Sequence, residues 1–168
     1  MNLGSTNRVP MAQLRSALEE AGFEDVATYV QSGNIVVSSG ESAAKVGRAV
    51  ERLVEKEFGL KIPVVVRTRA QLAQVVKRNP LGRVANNPKR YQVSFLEKKP
   101  TAALVRKLEE LAAPTERVVS AGREIYAWHP EGVARSKLWA ALAGKGLGVT
   151  ATARNWTTVT KLLELADR

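Results

Sequence analysis

Cysteine is absent from the chain and histidine occurs once. The first absence excludes disulfides and thiol chemistry, and the two together argue against a zinc-type metal site. No apolar run approaches the roughly 18 residues a membrane-spanning helix requires. The opening Met1-Asn2-Leu3-Gly4 lacks the basic-then-apolar pattern of an export signal. The expectation is a cytoplasmic protein with no membrane partner. Aromatics are sparse at 5%, so a core must rest on Val, Leu, Ile and Ala. Apolar residues at 45% of 168 positions suffice for one such core or two smaller ones. Acidic residues are scarce in one half only. Residues 1–66 hold 7 Lys/Arg against 8 Asp/Glu, whereas residues 67–168 hold 19 against 8. A cationic block of that size attracts polyanions through long-range fields and counterion release.

Periodicity supplies the elements. Pro10 suits the first turn of a helix carrying Met11, Leu14, Ala17 and Leu18 on one face, stopped at Gly22. Residues 26–31 and 34–38 read as strands joined tightly at Ser32-Gly33. A helix over 42–58 ends at Gly59, and residues 62–66 read as a short apolar strand. A helix at 69–78 and a turn-rich stretch through Asn86-Asn87-Pro88 lead to a strand at 91–96. Helix 101–112, strands 116–120 and 124–128, helix 133–143, strand 148–152 and helix 156–166 complete the chain. The second half thus reads β-α-β-β-α-β plus a helix, the split βαβ or ferredoxin-like order. The fold class expected is α+β with two ferredoxin-like subdomains, at 1–66 and 91–168, around a helix and basic bridge at 67–90. The first subdomain lacks its opening strand, which is central in that order, so sheet groups would be left unpaired. Either the natural start lies upstream or another segment or chain fills the position, by self-association for example.

Three stretches are candidate sites. The βαββ connectivity brings Asn2, Gly4, Ser5, Thr6, Asn7 and Arg8, next to a helix N-terminus, near Gln31, Ser32, Gly33 and Asn34. Such donors suit a small anion, although Asn7 also fits a cap and Gly33-Asn34 a turn. In the second half, Lys137 and Arg154 are placed to flank a phosphate, with Ser136 and Asn155 as hydrogen-bond donors. Asn155 is equally a good N-cap, and the Trp156, Val159, Leu162, Leu163 stripe reads as core. The third stretch is the basic bridge: Lys77, Arg78, Arg83, Lys89 and Arg90 with Tyr91 interleaved, then Lys98, Lys99, Arg106 and Lys107. This pattern suits nucleic acid, but Tyr91-Gln92-Val93-Ser94-Phe95 lacks the RNA-recognition signature. Gly144-Lys145-Gly146-Leu147-Gly148 has the wrong spacing for a phosphate loop. His129 has no nucleophile near it in sequence. No catalytic constellation, metal site or cofactor site emerges.

Several segments are similar to one family. Asn2-Leu3-Gly4, Asn7, Val9-Pro10-Met11 and Thr28-Tyr29-Val30-Gln31-Ser32-Gly33-Asn34 resemble the opening motifs of a bacterial family catalogued as domain of unknown function 1697. Asn79-Pro80, Phe95-Leu96, Ile125-Tyr126, Ser136-Lys137-Leu138 and Thr152-Ala153-Arg154-Asn155-Trp156-Thr157-Thr158-Val159 resemble its later ones. The resemblance implies two α+β subdomains with ferredoxin-like parts and no particular activity. It also implies a strand ending in Leu-Arg-Gly ahead of the Asn-Leu-Gly position, which this sequence does not show. Function is therefore expected to be binding of a polyanion, nucleic acid foremost. The alternatives are an enzyme or sensor for a small phosphorylated or carboxylated ligand, and an assembly protein that completes its sheet with a partner strand.

Overall fold

The computed structural model describes residues 1, 3, 9–144 and 147–168. It is a mixed α+β structure that divides into two compact units. Unit 1 comprises Met1–Arg69 with Leu162–Arg168, and unit 2 comprises Ala70–Lys161. Most of the expected bridge, from Ala70 onward, falls within unit 2.

Unit 1 begins with α1 (Met11–Glu20), entered through Pro10 at φ −63°. Leu14 and Leu18 face inward. Its end is a Schellman turn: the Phe23 N–H donates to the Leu18 carbonyl and the Gly22 N–H to the Glu19 carbonyl. That geometry needs a left-handed residue, and Gly22 supplies it at φ +96°. β1 (Glu24–Tyr29) and β2 (Asn34–Ser38) follow as an antiparallel pair, closed by Tyr29 opposite Asn34. Four residues, 30–33, make the connection, rather than the tight two-residue turn expected at Ser32-Gly33. α2 (Ala43–Phe58) is capped by the Ser42 hydroxyl accepting from the Lys45 N–H, and is stopped by left-handed Gly59. Met1, Leu3, Val9, Leu14, Leu18, Val26, Val50, Val54 and Ile62 form one core. Residues 62–66, expected as a strand, have no strand partner among the described residues. The Val64 N–H instead donates to the Glu51 carboxylate at 2.9 Å. The short apolar run buries Ile62 and packs half-buried Val64 against the core, but a ladder also needs a neighbour.

Unit 2 carries α3 (Arg69–Arg78, from Ala70 onward), β3 (Tyr91–Leu96), α4 (Ala102–Leu111) and β4 (Arg117–Ala121). β5 (Glu124–Trp128), α5 (Lys137–Ala143), β6 (Ala151–Asn155) and α6 (Trp156–Ala166, its first six residues) complete it. Its four strands form one sheet in the order β4-β5-β3-β6, with every neighbour antiparallel. All of β3 and β5 is buried, so both faces of the sheet are covered. On one face Leu96, Ile125 and Ala127 pack with Leu108 of α4 and Leu138 and Leu142 of α5. Fully burying each such large side chain stabilises by about 1.5–3 kcal/mol. On the other face the Tyr126 hydroxyl donates to the Val75 carbonyl of α3 at 2.9 Å. There Tyr91 stacks on Trp156 at 4.8 Å, placing Trp156 in the interior packing. β6 starts three residues later than the sequence pattern suggests, because Gly148 at φ +70° turns the chain before the ladder. α5 starts at Lys137 rather than 133, after a turn in which the Ser136 N–H donates to the Val133 carbonyl. No residue separates β6 from α6: Asn155 ends the strand, and its side chain caps the helix by accepting from the Thr158 N–H at 2.9 Å. Among the described residues, no helix is long and apolar enough to cross a membrane.

Candidate functional site

The first expected cluster is assembled in part. Asn2, Gly4, Ser5, Thr6, Asn7 and Arg8 lie outside the described residues. Their neighbours do meet the hairpin: the Leu3 N–H reaches the Ser32 carbonyl at 3.4 Å, and the Gln31 amide donates to the Val9 carbonyl at 2.6 Å. The Met1 amino group reaches the Gly33 carbonyl at 3.4 Å. Asn34 is buried, with its amide on the Tyr29 carbonyl at 2.8 Å and the Ser32 hydroxyl at 3.0 Å. Glycine is required at position 33, where φ is +99° and a Cβ would lie 3.0 Å from Met1 and 3.1 Å from Leu3. Gln31 and Asn34 thus have structural work in closing the turn and anchoring residues 1–9.

The second cluster is not brought together. Arg154 stands opposite Val93 in the β3–β6 ladder and shares the face covered by α3 and α6. α5, which begins at Lys137, packs on the opposite face with Ile125 and Ala127. Arg154 and the helix that Lys137 opens thus belong to opposite faces of the sheet. Arg154 is 8% exposed and donates to the Thr152 hydroxyl at 2.7 Å and the Ala153 carbonyl at 2.8 Å. Burial pulls its pKa down to about 10, which leaves it charged at neutral pH. Asn155 is a cap, and so is Ser136, whose hydroxyl accepts from the Trp139 N–H at 3.0 Å.

That hydroxyl belongs to a cluster that sequence spacing does not reveal. Arg117 pairs with Trp128, so the chain just beyond the ladder sets Glu116 against His129. His129 Nδ1 lies 2.5 Å from the Glu116 carboxylate, and the Ser136 hydroxyl donates to the same oxygen at 2.6 Å. The other carboxylate oxygen accepts from the Ala113 N–H at 3.0 Å. Burial opposes the charge on Glu116, but these donors outweigh it, Ser136 first, and hold the carboxyl below its ordinary range. Ser136 also lies 3.4 Å from Nδ1, while Nε2 of the fully buried ring meets no partner among the described residues. A nucleophilic triad needs the hydroxyl on the nitrogen remote from the acid. Here all three groups crowd the same nitrogen, and the arrangement pins the end of β5 to the start of α5.

The third stretch is mostly on the surface. Lys77, Arg78, Arg83, Lys89, Arg90, Lys98, Lys99, Arg106 and Lys107 are all exposed. Tyr91 departs from that expectation. It is 2% exposed, its ring stacks on Trp156, and its hydroxyl donates to Asn79 at 3.0 Å. Burial raises its pKa to about 12, and no ring face remains for a base. Arg78 lies 3.8 Å from Glu124, and Arg90 donates to the Pro130 carbonyl. Among the described residues, Lys77, Arg83, Lys89, Lys98, Lys99, Arg106 and Lys107 make no ion pair. Unit 2 holds 16 Lys/Arg against 6 Asp/Glu, and the rest of the chain holds 10 against 10. The net charge of +10 therefore belongs to unit 2. Lys89-Arg90 and Lys98-Lys99 flank opposite ends of β3, separated by roughly 20 Å of strand. Among the described residues, no group of three or more acidic or His side chains could hold a metal.

Comparison with known proteins places this arrangement. A family model described as "Protein of unknown function (DUF1697)" matches residues 1–126. The fold is similar to that of a solved structure described as conserved bacterial protein SP0830 from Streptococcus pneumoniae. The two share 21% identity over 99% of this chain and 93% of that one, with a TM-score of 0.77. At that identity the likeness concerns the fold alone. No curated protein matches the chain.

Proposed function

The chain belongs to the DUF1697 family, a membership that names no activity, and we propose on the charge of unit 2 that it is a cytoplasmic binding module for an extended polyanion, nucleic acid foremost, held by that unit. The supporting observation is the charge on that unit: among the described residues, seven exposed Lys/Arg have no carboxylate partner, on a body that carries the whole net charge. The cations flank both ends of β3, so a long strand engages both groups and a mononucleotide only one. One phosphate per about 3.4 Å of B-form strand puts several within that reach. Recognition is of the backbone rather than the bases, since Tyr91, Phe95, Tyr126 and Trp128 are all buried. We read the scaffold of unit 2 as ferredoxin-like; its β-α-β-β-α-β order and β4-β5-β3-β6 sheet support that reading.

Fluorescence anisotropy with labelled oligonucleotides of increasing length tests the proposal. Affinity is expected to rise steeply until both ends of β3 are spanned, then to level off. Four phosphate contacts to a single strand give a log–log salt slope of about −3. No detectable binding at low salt removes the reading.

A further inference from the structure

α4 and α5 pack side by side on one face of the unit 2 sheet, where Leu108 meets Leu138 and Leu142. The ladders fix their directions. β3 and β4 both run antiparallel to β5, so α4, which leads from the end of β3 to the start of β4, runs against them. β5 and β6 both run antiparallel to β3, and α5 runs against that pair in the same way. The two helices are therefore antiparallel, and their starts lie at opposite ends of the face.

Charge is distributed over that face in a way neither helix reveals alone. Residues 98–107 contain Lys98, Lys99, Arg106 and Lys107 and no acidic residue. Residues 132–144 contain Arg135 and Lys137 and again no acidic residue. All six cations are exposed, and among the described residues none makes an ion pair. The acids of α4, Glu109 and Glu110, fall in its last turn. Beyond Lys137, the exposed side chains of α5 are Ala140 and Ala143. Positive charge thus runs diagonally, from the entry of α4 down its first two turns and across to the entry of α5. Arg90, which donates to the Pro130 carbonyl, continues the line to the start of β3. A ten-residue helix is about 15 Å long and packed helices lie about 8–10 Å apart, which makes the diagonal roughly 18 Å. That is close to the separation of Lys98-Lys99 from Lys89-Arg90 along β3. The opposite face has no such middle. Residues 70–76 of α3 are uncharged, and its cations stand in the last turn, where Arg78 lies 3.8 Å from Glu124.

Resting on the polyanion reading, we infer that one phosphodiester backbone crosses unit 2 along this diagonal. Arg106, Lys107, Arg135 and Lys137 are then further phosphate contacts between the two ends of β3, and α3 lies off the track. Phosphate contacts of this kind position a strand without reading its sequence.

Fluorescence anisotropy on the full chain tests the track, with a labelled single-stranded oligonucleotide long enough to overspan the diagonal. One variant combines Arg106→Gln with Lys107→Gln, and a second combines Arg135→Gln with Lys137→Gln. A third adds Ala70→Glu and Gln74→Glu at exposed positions of α3, which changes the net charge by the same amount off the track. Each track pair is expected to lower affinity about tenfold and to flatten the log–log salt slope by about 1.4, or about 0.7 for each lost contact. The α3 pair is expected to change affinity less than about twofold and to leave the slope as it is. If wild type binds and the track pairs keep its affinity and slope, the track is overturned while the polyanion reading stands. Equal losses in the α3 pair overturn it too, because net charge alone would then govern binding. A wild-type chain that binds no oligonucleotide at low salt ends both.

Discussion

The two units are built from similar pieces and diverge in what those pieces accomplish. In unit 2 four strands bury β3 and β5 completely and leave charge as the dominant surface property. In unit 1 two strands leave β2 half-buried, on a body of zero net charge. A completed sheet frees the surface to be specialised electrostatically.

Core truncation sharpens that contrast most strongly. Leu108→Ala in the closed core of unit 2 is expected to cost about 2–5 kcal/mol in chemical denaturation. Val37→Ala in unit 1 should cost less, because its side chain is only partly buried. Equal losses would erase the distinction. Next in size is charge reversal at both ends of β3. Lys89→Glu and Arg90→Glu combined with Lys98→Glu and Lys99→Glu should lower oligonucleotide affinity about a hundredfold, or about 2.7 kcal/mol. Either pair alone should lose part of that and flatten the salt slope. Reversing Glu19 and Glu20 to Lys in unit 1 should leave affinity unimpaired.

The Glu116 cluster gives a smaller effect with a definite sign. Glu116→Gln is expected to destabilise unit 2 by about 1–3 kcal/mol at neutral pH, because three donors then share a poorer acceptor. The folded-state pKa of Glu116 lies below its ordinary 4.5. Its contribution is therefore present above the unfolded pKa and is lost as pH falls through the folded one. Thermal melts from about pH 7 down to about 3 should converge for wild type and Glu116→Gln at the acid end. Curves that stay parallel would show that the carboxylate contributes no linkage. Smallest is Gly33→Ala, expected to cost about 1 kcal/mol because φ +99° disfavours a side chain. Contact with Met1 and Leu3 adds to that strain. A neutral result in the melt would mean that residues 1–3 move away without penalty.

Local pattern and fold agree where an element settles its own fate. β3 at 91–96 and α6 at 156–166 fall where a short, largely apolar and aromatic segment and helical periodicity put them. Residues 62–66 are also a short apolar segment but join no ladder among the described residues, because a strand needs a neighbour that no local signal supplies. β6 slides to 151–155 because pairing with β3, not hydrophobicity, sets its ends. The sites divide in the same way. Surface cations are legible from composition, although the fold engages Arg78 beside Glu124 and Arg90 on the Pro130 carbonyl. Tyr91 and Arg154 escape a reading of the sequence because residues of one strand alternate between faces, and only the ladder says which face is which. Glu116, His129 and Ser136 share no motif spacing; they meet because one hairpin register sets the first two side by side.

The direct passage from β6 into α6 through Asn155 carries a mechanical implication. With no spare residue at the junction, the helix inherits its angular phase from the strand. One residue inserted after Asn155 would turn every later side chain by about 100° around the axis. Trp156 would then swing off the Tyr91 ring, so this junction should tolerate substitution far better than any change in length.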